Sequence, residues 1–394
     1  MRVIQTVSGI AMEASGPSYS VPGLCSGLKA VGVDVCLHAR MGDGARDFPF
    51  DHVAYPYLRS RWLPGANPLM RDGLRKACRD ADILHSNGLW NMPSVYPGWA
   101  VKGTKCKLVM APRGTLAAWA LRKGCWKKKI FGWLFQNQVL RHADMFHATS
   151  EKEYEEIRAR GYKQPVAIVP IGMDLPDVEP RNTLNTRNGG RKVVFFGRLH
   201  KVKAIDNLIL AWEGICSQSA PNSSVYSVYS VVRDWQLLIA GPDCGVKGEL
   251  ENLIAERHIP GVSFVDELNG QAKYDFLASA DIYVLPSMTE NFGVTVAEAL
   301  ASGTPVIASQ GTPWQGLERE RCGRWVPIGV EPLAAALKEM MSMSDEERAA
   351  MGARGREWIR RDFSWKGIGA KMKAAYEWLL APEKIERPEF VISD

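Results

Sequence analysis

One repeating pattern limits what this chain can fold into. Short apolar runs that end in glycine or polar residues recur along it, with helical segments between them. In the first half the runs are RVIQTVS, VDVCLHA, ADILHSNG, CKLVMAPRG, ADMFHATS and PVAIVPIG. Between the first two, SYSVPGLCSGLKAVG reads as a helix ending near Gly32. Strands that alternate with helices imply parallel β-α-β units and a doubly wound sheet. From Asp174 to Arg191 the chain is rich in Pro, Asn and Gly and reads as a linker. The pattern then restarts with KVVFFG, WQLLIAG, VSFVD, ADIYVLPS and TPVIAS, separated by helices such as AIDNLILAWEGI and KGELENLIAERH. The expected fold class is therefore α/β, with two Rossmann-like doubly wound domains at 1–176 and 192–364 joined by a linker at 177–191. Ligands of open parallel sheets bind at the carboxyl ends of the strands, so two such halves facing a central cleft would share one. A last helix at 365–382 has no partner that pattern alone identifies, and the Ser-rich stretch 217–232 reads as a surface loop.

At 394 residues the chain is too long for one ordinary core and suits two domains. Its start reads as a first strand rather than a signal peptide, and no apolar run approaches a spanning length. The eight cysteines are scattered without a C-x-x-C pair, so neither a zinc site nor a disulfide framework is indicated, and reduced cytosol is the expected compartment. Charge is divided unevenly. Residues 1–176 hold 24 Lys and Arg against 14 Asp and Glu, a balance of +10, whereas residues 177–394 hold 25 against 29, a balance of −4. The basic half should meet something anionic.

Three stretches carry candidate chemistry. TENFGVTVAEALASGTPVIAS, from Thr289 to Ser309, holds Glu290 on a strand-end loop and Glu298 inside a helix that starts near Val294 and ends at Gly303. The backbone amides of Phe292, Gly293 and Val294 would point out of that helix start, where anions bind. Alternatively, Thr295 and Glu298 form a capping box. The second stretch, FFGRLHKVKAIDNLILA, places Arg198 and Lys203 after a strand, where they suit a diphosphate or are two solvated charges. In the third, AMEASGPSYSVPG, Gly16 would let the backbone approach a ligand or would simply make a turn.

Taken in order, these motifs resemble glycosyltransferase family 4, the retaining enzymes of the GT-B fold. The resemblance rests on the E-x7-E of Glu290 and Glu298, the following EALASGTPVIAS, the GR and Lys203 pair, and PIGMD before the linker. It implies that Arg198 and Lys203 neutralise the diphosphate of a UDP- or GDP-sugar donor. Glu298 would accept bonds from the ribose, and Glu290 would hold the transferring hexose. Gly241 and the backbone from Asn291 through Phe292 and Gly293 to Val294 would line the donor site, with Gly16 reaching the phosphate. Catalysis would rest on Glu290, Arg198 and Lys203, with no metal and no further cofactor. The family's last helix crosses back onto the first domain. That first domain would bind the acceptor, through His85, Asn87 and Arg113. Arg113 stands where many relatives carry histidine, and it cannot act as a base. It would bind an anionic acceptor or assist the leaving phosphate. His147 reads as a satisfied core histidine, and Asp82 of Asp80-Ala-Asp82 as a strand lead-in rather than a metal ligand.

Trp119 to Phe135 interleaves five cations (Arg122, Lys123, Lys127, Lys128 and Lys129) with Trp119, Trp126, Phe131, Trp133 and Phe135. Such a basic, aromatic helix reads as a peripheral membrane element, or as a basic solvated face over a buried aromatic one. No nucleic-acid recognition motif accompanies it. The expected activity is hexosyl transfer to a growing surface glycan of the lipopolysaccharide O-antigen or exopolysaccharide type. The acceptor would be lipid-linked, at the inner face of the cytoplasmic membrane. The alternatives are a soluble transferase with a small acceptor and a non-catalytic nucleotide-sugar or polyanion binder.

Overall fold

The run from Arg2 to Val7 forms strand β1, buried at all but its first residue. The computed structural model describes the chain apart from residues 11–15, 42–46, 59–62, 123–124, 179–189, 218–233 and 394. The chain divides into two compact units. One comprises Met1–Gly172 with Phe363–Asp394, the other Met173–Asp362. The linker expected at 177–191 and the loop expected at 217–232 fall largely outside the described residues.

In the first unit β1 is followed by β2 (Asp34–Arg40), β3 (Asp51–Tyr55), β4 (Ile83–Asn87), β5 (Lys107–Ala111), β6 (Met145–Ala148) and β7 (Val166–Ile168). They lie parallel in the order β7-β6-β5-β4-β1-β2-β3. The order reverses direction at β1, whose last residue Val7 pairs with Asn87 at the end of β4. Both faces are covered by helices, so β4 and β6 are buried throughout, as parallel strands usually are.

In the second unit the strands are β8 (Arg191–Phe196), β9 (Trp235–Ala240), β10 (Val262–Val265), β11 (Ile282–Leu285), β12 (Val306–Ser309) and β13 (Gly323–Val326). All run parallel in the order β10-β9-β8-β11-β12-β13. Here the order reverses between β8 and β11, which places the loops after these two strands at the switch point where such sheets bind ligands. Each unit thus has the doubly wound parallel architecture expected from the sequence.

The segment from Phe363 completes the first unit. Helix Trp365–Leu380 packs on helix Gly16–Ala30. The two backbones come so close that a Cβ on Gly27 would sit 2.1 Å from the Trp365 carbonyl oxygen, and one on Gly369 would sit 2.2 Å from that of Gly27. Only glycine fits at this crossing. Strand β14 (Val391–Ile392) then pairs antiparallel with β7. Three strands lie outside the sequence reading. β3 is a mostly exposed edge strand, β13 is four residues carrying Arg324, and β14 has only two residues, so none presents an apolar run.

Candidate active site

The second unit builds one cluster at its switch point. Strand β8 runs into Gly197 and Arg198, and a short 3-10 turn, Lys201–Lys203, follows. His200 caps that turn by accepting from the Val202 N–H, and Ala204 closes it in the left-handed region. The turn aims Lys203 inward, where its ammonium lies 2.6 Å from Glu290 Oε1. Ser287 donates to the same oxygen at 2.6 Å. The loop carrying both is anchored by main-chain bonds from Met288 to the Val202 carbonyl and from Glu290 to the Gly311 carbonyl. Arg198 is exposed and makes no ion pair among the described residues.

Helix Val294–Ala301 begins at Gly293, which adopts φ +78°. Glu298, on its inner face, does not cap it. Its Oε1 lies 2.6 Å from the ammonium of Lys273, on helix Gly270–Ala278. Thr295 meanwhile accepts from the Tyr283 hydroxyl at 2.6 Å. The capping-box alternative for Glu298 is thereby replaced by an ion pair. Burial opposes the charge on Lys273, yet the Glu298 carboxylate and the Tyr274 phenol hold its pKa above the ordinary lysine value. Phe292 is buried against Trp314, whose indole N–H donates to the Phe292 carbonyl, so this residue offers backbone rather than ring to a ligand. Gly241 ends β9 against Gly197, and a Cβ there would meet the Gly197 carbonyl oxygen at 2.1 Å. The structure therefore brings Lys203, Glu290 and Ser287 together, and Glu298 with Lys273. Lys273 and Ser287 escaped the sequence reading because nothing in their local pattern marks them. Each gains meaning only through a partner brought close by the sheet.

In the first unit the sequence candidates form a buried polar chain. The tautomers follow from its far end. The Val169 carbonyl can only accept, so His147 Nε2, at 2.8 Å, must be the donor, leaving Nδ1 to accept from His85 Nε2 at 3.3 Å. His85 Nδ1 then accepts from the Tyr376 hydroxyl at 2.6 Å and from Gln5 Nε2 at 3.1 Å. Gln5 Nε2 also donates to the Tyr376 oxygen, and Gln5 Oε1 accepts from Asn87 Nδ2. Asn87 Oδ1 in turn accepts from Arg113 Nε at 3.1 Å and Nη2 at 2.8 Å. Donation therefore runs one way, from Arg113 to Val169, and both histidines are neutral. Burial, with the neighbouring cation of Arg113, pushes His147 down to about 3 and His85 well below the usual imidazole value.

This placement corrects the acceptor expectation in part. His85 is fully buried with both ring nitrogens engaged, and Asn87 is nearly so, which leaves neither side chain open to a direct acceptor contact. Arg113 is half-buried at the end of β5, in the left-handed region at φ 56°, and is the member of the chain with access to solvent. Glu153 holds its loop by accepting from the Gly114 N–H and from Thr149. His147 is the core histidine expected. Gly16, at the exposed start of its helix rather than in a loop, has no atom within 4 Å of where a Cβ would stand. Asp82 accepts from the Arg2 N–H at 2.7 Å, a strand lead-in, and no cluster of metal-ligating side chains occurs among the described residues.

The stretch expected as an amphipathic helix holds Ala118–Arg122 and, from Cys125, a continuous helical run to Arg141 whose middle, Gly132–Gln136, is a π-helical turn. The π-turn swings Gln136 inward to meet the Ser94 hydroxyl at 2.7 Å. Phe131 and Phe135 pack against the core, while Trp126 and Trp133 are 62% and 79% exposed beside the exposed Lys127 and Lys129. The aromatic face is thus shared between core and solvent, rather than wholly buried. No helix among the described residues is long and apolar enough to cross a membrane.

A family model described as "Glycosyl transferases group 1" matches residues 179–358, and one described as "Glycosyl transferase 4-like domain" matches residues 15–172. The chain belongs to the GT4-type glycosyltransferases of the GT-B fold. It is 28% identical over 283 residues to a D-inositol 3-phosphate glycosyltransferase of Salinispora tropica, a match covering 67% of this chain and 56% of that protein. The matched stretches span 33%, 56% and 46% of the lengths of three curated relatives. Sucrose-phosphate synthase from Thermosynechococcus elongatus superposes with a TM-score of 0.73 at 21% identity, over 97% of this chain and 99% of that one. Anabaena HepE in complex with UDP and glucose gives 0.70 at 16% identity, over 95% and 99%. At these identities the two structures share the fold with this protein.

Proposed function

We propose that the protein is a retaining, metal-independent hexosyltransferase that uses a UDP- or GDP-sugar. The observation that carries this reading is the Lys203–Glu290 pair at the switch point of the second unit, beside Glu298 and Lys273. Lys203 and the exposed Arg198 neutralise the leaving diphosphate, supplying fixed positive charge where negative charge develops. Glu290 accepts from hydroxyls of the transferring sugar, and Glu298 accepts from the ribose. Attack occurs on the face the diphosphate leaves, and that phosphate helps take the acceptor proton. Arg113 stays cationic, despite burial lowering its pKa, and attracts an anionic acceptor or steadies the departing phosphate.

The acceptor is a lipid-linked glycan of the lipopolysaccharide O-antigen or exopolysaccharide type, reached at the inner membrane face. The exposed Trp126 and Trp133 with Lys127 and Lys129 support peripheral docking, each cation near an anionic leaflet contributing roughly 1 kcal/mol. A small soluble acceptor is the second reading, supported by the likeness to the D-inositol 3-phosphate glycosyltransferase of Salinispora tropica. Thermal shift against a panel of nucleotide sugars tests the donor assignment, and a flat response to every UDP- and GDP-sugar rejects it. Release of free diphosphate on turnover separates an enzyme from a binder. Co-sedimentation with anionic vesicles at low salt separates the two acceptor readings.

A further inference from the structure

The helical segment that exposes Trp126 and Trp133 also walls a cavity of about 370 Å³ in the first unit. Trp90, Asn137, Arg141, Arg160 and Tyr162 line it over two leucines. Among the described residues, neither Arg141 nor Arg160 makes an ion pair or side-chain hydrogen bond. Both guanidinium groups line this cavity with Tyr162, and both favour the ionised form of its phenol, which burial opposes. Glu156, whose carboxylate Arg160 stabilises, is itself pushed up to about 7 by burial and by Glu153, and offers Arg160 only part of a charge at neutral pH. With Glu156 supplying only that partial counter-charge, the two guanidinium groups leave room for an anion between them. The wall opposite is firm. Trp90 is held in the left-handed region at φ 69°, with its indole N–H on the Thr115 carbonyl at 2.9 Å and its main-chain N–H on Gln136 Oε1 at 3.3 Å. A non-glycine residue keeps such a conformation only where its surroundings enforce it.

We propose that this cavity binds a phosphate group, with Arg141 and Arg160 taking its oxygens, Asn137 and the Tyr162 hydroxyl completing the polar set and the Trp90 ring flanking the ester. Its lining lies in the first unit and includes none of Arg198, Lys203, Glu290 and Glu298, the residues assigned to the donor. Planar, multi-donor guanidinium groups suit a tetrahedral dianion, and the volume falls within the range of small-molecule sites. The phosphate belongs either to a soluble phosphate ester or to the headgroup of an anionic lipid.

The full chain and its R141Q/R160Q variant separate these sources. Both arginines are exposed, so the variant should melt at the wild-type temperature without ligand. In the soluble arm, inorganic phosphate and glycerol 3-phosphate are titrated against melting temperature, with chloride matched for ionic strength. A saturable rise in wild type that the variant lacks supports a soluble ester. In the vesicle arm, phosphatidylglycerol and phosphatidylcholine vesicles are co-sedimented with wild type, R141Q/R160Q and K127Q/K129Q. At least about tenfold weaker phosphatidylglycerol binding by R141Q/R160Q than by K127Q/K129Q supports a headgroup site. If R141Q/R160Q matches wild type in both arms, the cavity is not a phosphate site. Equal loss in the two double variants, with a flat soluble arm, means diffuse attraction and also overturns it. The vesicle arm rests on the membrane reading above. Failure of wild type itself to sediment rejects that reading while leaving the soluble arm decisive.

Discussion

The Lys203 ammonium lies 2.6 Å from the Glu290 carboxylate, although 87 residues separate them along the chain. Their side chains are only 10% and 15% exposed, so each charge depends on the other for compensation. Glu290→Ala strands a cation and should destabilise the second unit by up to about 3 kcal/mol. Glu290→Gln keeps an acceptor for Lys203 and Ser287 but removes the charge. It should destabilise the unit less than the alanine variant, because the hydrogen bonds remain, while lowering transfer roughly 100-fold. Initial rates beside melting curves decide this, and full transfer by the glutamine variant removes Glu290 from the mechanism.

Lys273 fixes Glu298 from a different helix. Lys273→Met frees the carboxylate to rotate and should raise the donor KM about tenfold with kcat nearly unchanged, the pattern of a lost ground-state contact. Steady-state kinetics with varied nucleotide sugar provide the check. A fall in kcat at constant KM would move Lys273 from donor binding to the chemical step.

The one-way donor chain makes the first unit sensitive to acid. His147 titrates at about 3 when folded and near 6.5 when unfolded. Between these values the unfolded chain binds the extra proton, so stability is complete above pH 6.5 and is lost as pH falls. For His147 the loss at pH 5 is about 2 kcal/mol. His38, pushed down to about 4 by burial and by Arg2, adds to the same window. Urea unfolding of the full chain at pH 7 and pH 5 should show the drop, and equal stabilities would refute the neutral-histidine assignment.

Gly241→Ala tests the close approach of the ends of β8 and β9. The new methyl would collide with the Gly197 carbonyl at a residue with φ 135°, which should cost roughly 3 kcal/mol. Denaturant midpoints report it. An unchanged midpoint would mean the backbone relaxes freely there, and a local loss of donor affinity alone would not meet the expectation.

The doubly wound sheets were legible because buried parallel strands are continuous apolar runs, and β1, β4, β8, β11 and β12 all declare themselves in this way. Glu290 and Glu298 were legible from spacing and Lys203 from its strand-end position, since each stands in a local frame that pattern reveals. Lys273 and Tyr376 were not, because their roles exist only through contacts 25 and 371 residues away. His85 misled for a related reason. A polar residue at a strand end looks available to a ligand, and only the arrival of Tyr376 and His147 shows its ring to be enclosed.

The return of the chain at Phe363 bears on the order of synthesis. The first unit is closed by Trp365–Leu380 and β14, and its donor chain passes through the Tyr376 hydroxyl. While residues 1–172 are the only part of it to have left the ribosome, Gln5 and His85 lack their shared partner and the Gly27 face of its helix is bare. A message broken just after residue 362 would encode all of the second unit together with an unfinished first one. Translation through β14 is thus itself a condition for the first unit to mature, and products cut short before it should be marked for proteolysis by that exposed helix face.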